Sequence, residues 1–510
     1  MVFLENLTDV VLWLLLTILW VNLLFLCFLA YRRLSRLHYY EVKDGARARY
    51  ASVVEQFRRG DISVDTAAAV LRNATLAPEI DAVHELIFAD LTPADAESTT
   101  RLLFTIGSIS RWARTAFGRK RAAAIVPRAM HGEHAAIPAR ERAASVFNLR
   151  RLRLSSVERA KAVVKLGSLA PQVSLGFASE ALRDPSPEVR RLAVASLGRN
   201  GHPGAIPLLI QELEASVKHG RNDVSLRGAK SALVGYRMEQ LHHFVPYLRH
   251  AQPRVRFFVI DAVRDICNRA AEVSLIAKND FPMQMHQICL EELAKDANPD
   301  VRARVAGVIR YFRDAPSVEA LRRLLQDENE FVRLHAVRAC GDRYLTPLIA
   351  DVAERLADSR WRIREAAVKS LRVFGDAGRD LMLRQLVTSS DRYACEQLAE
   401  ELQRSGMISE LLAASVLDEE RARFAAAVFR KLTMLEKDAV LLQTLAAPSG
   451  DPVIRLRLLD VLMDDPRPEV LSAVEMVATG EDSIVGERAA LLLRDLAKTP
   501  SGAWRRASHA

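Results

Sequence analysis

Asp296-Ala-Asn-Pro-Asp-Val-Arg302 sets the frame in which the rest of the chain is read. Asp327-Glu-Asn-Glu-Phe-Val-Arg333 and Asp358-Ser-Arg-Trp-Arg-Ile-Arg364 repeat it, so that Arg302, Arg333 and Arg364 follow one another at intervals of 31 residues. Upstream, Asp184-Pro-Ser-Pro-Glu-Val-Arg190 has the same form, and His250-Ala-Gln-Pro-Arg-Val-Arg256 keeps it without the Asp. A period of this size denotes stacked supersecondary units.

Each unit reads as a pair of helices. Asp296 closes one helix, Asn298 is a good N-cap for the next, and Pro299 suits the first helical position, where its missing N–H costs nothing. Val301, Val305 and Ile309 then recur on one helical face, as do Val332, Ala336 and Cys340, and Ile363, Ala367 and Leu371. Small residues in the middle of these sets let helices approach closely. One unit cannot bury its apolar side alone, so the units must stack.

The pattern Asp-x-x-Pro-x-Val-Arg with a mid-helix Ala resembles the HEAT repeat, in its short bacterial form. The resemblance is clear over about 181–375. Weaker copies lie at Ser155 to Leu166, near Asn222 to Arg227, and at Asp418 to Arg423, Asp451 to Arg455 and Glu481 to Arg488. The expected fold is all-α: a single N-terminal transmembrane helix followed by a HEAT-like α-solenoid over 151–498. The resemblance implies that the repeated Arg residues pair with turn Asp residues of a neighbouring unit. The ladder would comprise Asp184, Arg190, Arg256, Asp296, Arg302, Asp327, Arg333, Asp358 and Arg364, with His250 standing where one copy's Asp would be.

The anchor is read from Val10 to Tyr31, 22 residues without a charge, in which Thr17 and Asn22 are the only strongly polar side chains. As a helix this run spans roughly 33 Å, enough for a hydrocarbon core of about 30 Å. A cleaved signal peptide fits less well, because Glu5 and Asp9 stand where a basic n-region belongs and no small-residue cleavage site follows cleanly. Arg32, Arg33, Arg36, Lys43, Arg47 and Arg49 follow the span, which places the tail 1–9 outside and the rest in the cytoplasm. The expected order is thus tail 1–9, span 10–31, basic juxtamembrane segment 32–50, helical cap 51–150, solenoid 151–498 and flexible tail 499–510. Five Cys, scattered singly in 510 residues, suit a reducing compartment.

Half the residues are apolar and 26% are charged, which excludes a disordered chain, and 22 Gly with 20 Pro exclude a collagen-like one. The net charge of +9 is unevenly spread. Residues 51–110 carry 4 basic and 9 acidic side chains, whereas 111–161 carry 13 and 3. Arg111, Arg114, Arg119, Lys120 and Arg121 are interleaved with Trp112 and Phe117. That run is a candidate lipid or partner surface, against the simpler reading of a solvated basic face. Nucleic-acid binding through 111–161 is a further alternative.

Motifs for catalysis are not found. There is no P-loop, no Gly-x-Ser-x-Gly elbow, no His-Glu-x-x-His helix and no Cys-x-x-Cys pair. His131-Gly-Glu-His134, His286 with Cys289, and His242-His243 read as surface or core residues rather than ligands. Deoxyhypusine hydroxylases resemble this architecture and hold two irons with several His-Glu pairs; here the one such pair is His84-Glu85, outside the clear repeats. No cofactor and no enzymatic activity are expected, with a HEAT-like enzyme (a lyase or a metal-dependent one) as the alternative. The expected role is a membrane-anchored scaffold for a protein partner that is itself membrane-associated. Trp361 and Phe331, at the turn side of their helices, are the candidate partner-binding residues.

Overall fold

A computed structural model describes residues 2–89, 95–132, 155–219, 225–273, 281–480 and 483–498. The tail 499–510 and the part of the basic segment over 133–154, with Glu133 and His134, lie outside the described residues. All regular elements among the described residues are helices. They divide into two compact units, Met1–Tyr236 and Arg237–Ala510. The division falls inside the stretch 151–498 that the sequence reads as one array, between the degenerate copy near Asn222 and the copy whose turn Asp is replaced by His250.

The first unit begins with one uninterrupted helix, Val2–Arg59, here called the stem. It runs through the expected boundaries at 31 and 50. From Trp13 to His38 every side chain is exposed, and the most apolar window has a mean hydropathy of 2.4. The stem is long and apolar enough for a membrane anchor or a signal sequence alike. Its second half behaves differently. Ala46, Tyr50 and Val54 are buried at four-residue spacing against the helix Ala77–Phe88.

Polar contacts fasten the same face. Tyr39 donates to Asp81 at 2.6 Å, Lys43 and Arg47 pair with Glu85 at 2.5 and 2.6 Å, and Arg58 donates to the Leu86 and Ala89 carbonyls. The Asp81 carboxylate, as hydrogen-bond acceptor, pushes the Tyr39 hydroxyl up to about 12. Lys43, Arg47 and Arg49, counted from the sequence as juxtamembrane charge, are therefore paired within the unit, Arg49 with Glu79 at 3.4 Å. Arg32, Arg33 and Arg36 remain exposed between the apolar run and the packed half.

Beyond the stem, helices stack in register. Ser108–Phe117 packs on Ser156–Gly167, which packs on Pro187–Asn200, which packs on Leu226–Val234. Arg119–Met130 and Pro171–Ala181 form the neighbouring layer. Ser155 caps its helix in a reciprocal box with Glu158. The close approach is made by small residues. An added Cβ at Gly198 would lie 2.5 Å from the Ala232 Cα.

In the second unit Pro253–Val273, Pro299–Ile309, Glu330–Asp342 and Trp361–Val373 form the inner row of the repeats, each packed on the next. Asn298 accepts from the Asp300 and Val301 N–H groups, and Asn329 from the Phe331 N–H, as N-caps do. The apolar sets expected from the sequence are core: Val301, Val305, Ile309, Val332, Ala336, Cys340, Ala367 and Leu371 are fully buried and Ile363 nearly so. Further pairs of helices continue the stack to Ile484–Lys498.

Candidate functional site

The arginine ladder is built the same way at Arg256, Arg302 and Arg333. The Arg302 Nε and Nη2 donate to the Asp327 carboxylate at 2.7 and 2.8 Å, and its Nη1 donates back to the Asp296 carbonyl at 2.8 Å. Arg333 does the same with Asp358 at 2.8 and 3.1 Å and with the Asp327 carbonyl at 2.8 Å. Arg256 holds Asp296 at 2.7 and 2.8 Å and the His250 carbonyl at 2.7 Å. Each Asp also accepts from the N–H two residues on, at Asn298, Asn329 and Arg360. One guanidinium thus ties its own turn to the next one, in the bidentate geometry that sets orientation as well as energy.

Burial works to raise Asp327 and Asp358, but the Arg302 and Arg333 guanidiniums and the turn N–H groups outweigh it and hold both carboxyls below the ordinary range. At His250, Nδ1 accepts from the Gln252 N–H at 3.1 Å, so the imidazole reproduces the turn contact of the missing carboxylate. Arg364 finds a neutral partner, Gln397 Oε1 at 3.2 Å, together with the Asp358 carbonyl at 2.8 Å. In the first unit Arg190 donates to the Asp184 carbonyl, and the carboxylate of Asp184 is taken by Arg159, at 3.1 Å from both Nε and Nη2. Arg159 lies outside the ladder expected from the sequence. The signal was there: it precedes Asp184 by 25 residues, the spacing of Arg302 to Asp327 and of Arg333 to Asp358.

Trp361 and Phe331 are brought together. Glu330, Phe331, Leu334, Arg360, Trp361, Arg362 and Ile363 line a groove of about 200 Å³ between the starts of two successive inner helices. Phe331 is 53% and Trp361 57% exposed, so neither ring is consumed by packing. The Arg362 guanidinium lies 5.7 Å from the Trp361 ring, and Arg360 pairs with Glu330 at 2.5 Å across the rim. The groove thus has an apolar floor with a charged pair at its edge.

The basic run requires a correction. Trp112 and Phe117 are 5% and 3% exposed and cannot form part of a lipid or partner surface. Trp112 packs edge-on against His84 with ring centroids 4.7 Å apart, and Phe117 stacks on Phe177 at 6.3 Å. Ile109, Trp112, Ala113, Ala116 and Phe117 are one buried helical face. Arg121 is half-buried and pairs with Glu180 at 3.0 Å. Arg111, Arg114, Arg119 and Lys120 are exposed.

The remaining candidates are accounted for by packing. His84 is buried and shares a hydrogen bond with Ser108 Oγ at 2.8 Å. Burial, with Lys165 nearby, lowers its imidazole to about 4. His286 bonds Ser317 at 2.9 Å, and burial pushes the Cys289 thiol far up. The His242 and His243 rings lie 3.8 Å apart. Among the described residues no group of three or more His, Cys, Asp or Glu is arranged to hold a metal ion.

The HEAT-repeat family matches residues 150–227 and 288–372, which include the turns at Asp184, Asp296, Asp327 and Asp358. No curated protein matches the chain. Among solved structures, an engineered protein is 14% identical with a TM-score of 0.29, the match covering 70% of this chain and 98% of that one. Human deoxyhypusine hydroxylase in complex with glycerol is 18% identical with a TM-score of 0.21, over 52% and 96% of the two chains. Kap121p bound to Pho4p is 15% identical with a TM-score of 0.37, over 88% and 62%.

Proposed function

We propose that this chain is a non-enzymatic scaffold, anchored in the cell membrane by the first half of its stem, whose repeats bind a membrane-associated protein through the Phe331–Trp361 groove. The observation that carries the reading is the pairing of two large exposed aromatic rings on successive repeats. Exposed Trp is a costly surface residue, and aromatic anchors in a pocket dominate the energetics of interfaces. A stacked-repeat surface is extended and suits a protein or peptide ligand. The fully exposed apolar run from Trp13 supports the anchor, and Arg32, Arg33 and Arg36 support a cytoplasmic solenoid. Anchoring raises the effective concentration of a partner that shares the membrane.

The test is photo-cross-linking from Phe331 in the full-length chain within its native membrane, with the still more exposed Tyr393 as the control site. The reading expects one dominant membrane protein captured from Phe331, absent from Tyr393 and lost in Trp361→Ala. Equal capture from both sites would sink it.

A further inference from the structure

We propose that the exposed cations of the paired helices Ser108–Phe117 and Arg119–Met130 dock on the anionic headgroups of the membrane that holds the stem. The inference rests on the anchor reading. It differs from the surface expected from the sequence, because the aromatic residues of that run are buried and only its charge faces outward.

The helices contain no acidic residue, and five cations, Arg111, Arg114, Arg119, Lys120 and Arg128, are exposed. Among the described residues none of the five has an acidic side chain within ion-pair distance. Arg256, Arg302 and Arg333, by contrast, are each held by a carboxylate. Arg121, on the inner side of the same helix, is taken by Glu180. Lys120 and Arg128 stand four residues to either side of Ala124, on one outward face. An unpaired, uniformly positive helix pair repels itself and attracts an anionic surface.

The stem decides which anionic surface. It belongs to the same unit as the patch and is clamped to that unit's helix Ala77–Phe88 by Tyr39, Lys43, Arg47 and Arg58. Eight residues, or about 12 Å of helix, separate Tyr31 from Tyr39. The unit is therefore held at short range by a stiff connection and not by a floppy linker. Headgroups are then the anion at highest local concentration. Each cation near such a surface contributes roughly fivefold in partition. Since Trp112 and Phe117 are core residues, docking is electrostatic and shallow, with no aromatic wedge.

The test uses the full-length chain in nanodiscs, one set zwitterionic and one containing about a third anionic phospholipid, with a photo-cross-linker at exposed Ala124. Incorporation into both sets reports the stem; lipid adducts report the patch. The expected result is at least about fivefold more lipid adduct in anionic discs, lost in high salt and in the variant carrying Arg111→Glu, Arg114→Glu, Lys120→Glu and Arg128→Glu, with incorporation unchanged. All four positions are exposed, so this variant keeps the fold, which circular dichroism checks. Equal adduct in both disc types overturns the proposal. So does displacement of the adduct by a short nucleic-acid duplex with a steep salt dependence, which would make nucleic acid the ligand. A chain that enters neither disc overturns the anchor and the docking together.

Discussion

The guanidinium of Arg302 holds the carboxylate of Asp327 with two parallel hydrogen bonds while its remaining nitrogen holds the carbonyl of Asp296. Two successive turns are thereby fixed by one planar group. Removing the carboxylate leaves a mostly buried cation with backbone carbonyls and the long, solvent-exposed pair with Glu328 at 3.8 Å. Asp327→Asn is expected to cost about 2 kcal/mol, and Arg302→Lys a similar amount, because an ammonium cannot fork. The pH sign follows from the depressed carboxyls of Asp327 and Asp358. Their contribution is complete above the ordinary Asp value and is lost as pH falls below it through the folded-state values. Acid unfolding of the second unit, followed by hydrogen exchange over 296–371, should shift to higher pH in Asp327→Asn.

His84 gives the first unit a separate pH dependence. It is buried with Nε2 hydrogen-bonded to Ser108 Oγ, and burial lowers it to about 4, so the folded chain keeps it neutral. The unfolded chain takes up a proton near 6.5. Stability is therefore full above that value and is lost as pH falls toward the folded one. Between pH 7 and 5 the loss is about 2 kcal/mol. Carboxylates are still largely ionised there, which isolates the effect. Protection of the helix Ser108–Phe117, taken relative to free-peptide exchange at the same pH, should fall between pH 7 and 5 in the native chain. His84→Gln should flatten that dependence, and an unchanged slope would remove His84 from the account.

Two glycines predict opposite signs. Gly198 faces Ala232 with no room, so Gly198→Ala must push two backbones apart, at about 1 to 3 kcal/mol. Gly45 lies inside the stem helix with nothing within 4 Å of an added Cβ. Gly45→Ala should stabilise the stem by about 1 kcal/mol through helix propensity alone. Local exchange rates over each helix read both changes.

What was legible in the sequence was whatever local chemistry writes down. Asn298, Pro299 and the four-residue spacing of Val301, Val305 and Ile309 specify a capped helix and its buried face without reference to anything distant. The Phe331–Trp361 groove was half legible, since the frame places both residues at helix starts but not their rings beside one another. Composition alone hides the burial of Trp112 and Phe117. Read by face, Ile109, Trp112, Ala113, Ala116 and Phe117 form a helical stripe, with Arg111 and Arg114 on the opposite side. The clamp of the stem on Ala77–Phe88 depends on contacts such as Lys43 to Glu85, between positions 42 residues apart, and leaves no local trace. The division after Tyr236 has none either, since no Gly- or Pro-rich linker marks it.

Trp361 separates the scaffold reading from a purely structural one. Its neighbour two positions on, Ile363, is buried, so Ile363→Ala should cost about 2 to 5 kcal/mol. Trp361 and Phe331 are more than half exposed, and truncating either should change stability by no more than about 0.5 kcal/mol. If the groove is an interface, the same truncations should weaken partner binding by about 2 kcal/mol or more, some thirtyfold. The two effects are read on the same purified variants, by thermal unfolding and by binding of the cross-linked partner. Were Trp361→Ala to behave like Ile363→Ala, with a lowered midpoint and undiminished binding, the ring would be a packing element. A stable protein that no longer binds assigns the groove its role, because a residue that contributes nothing to the fold and everything to capture is held on the surface for the partner alone.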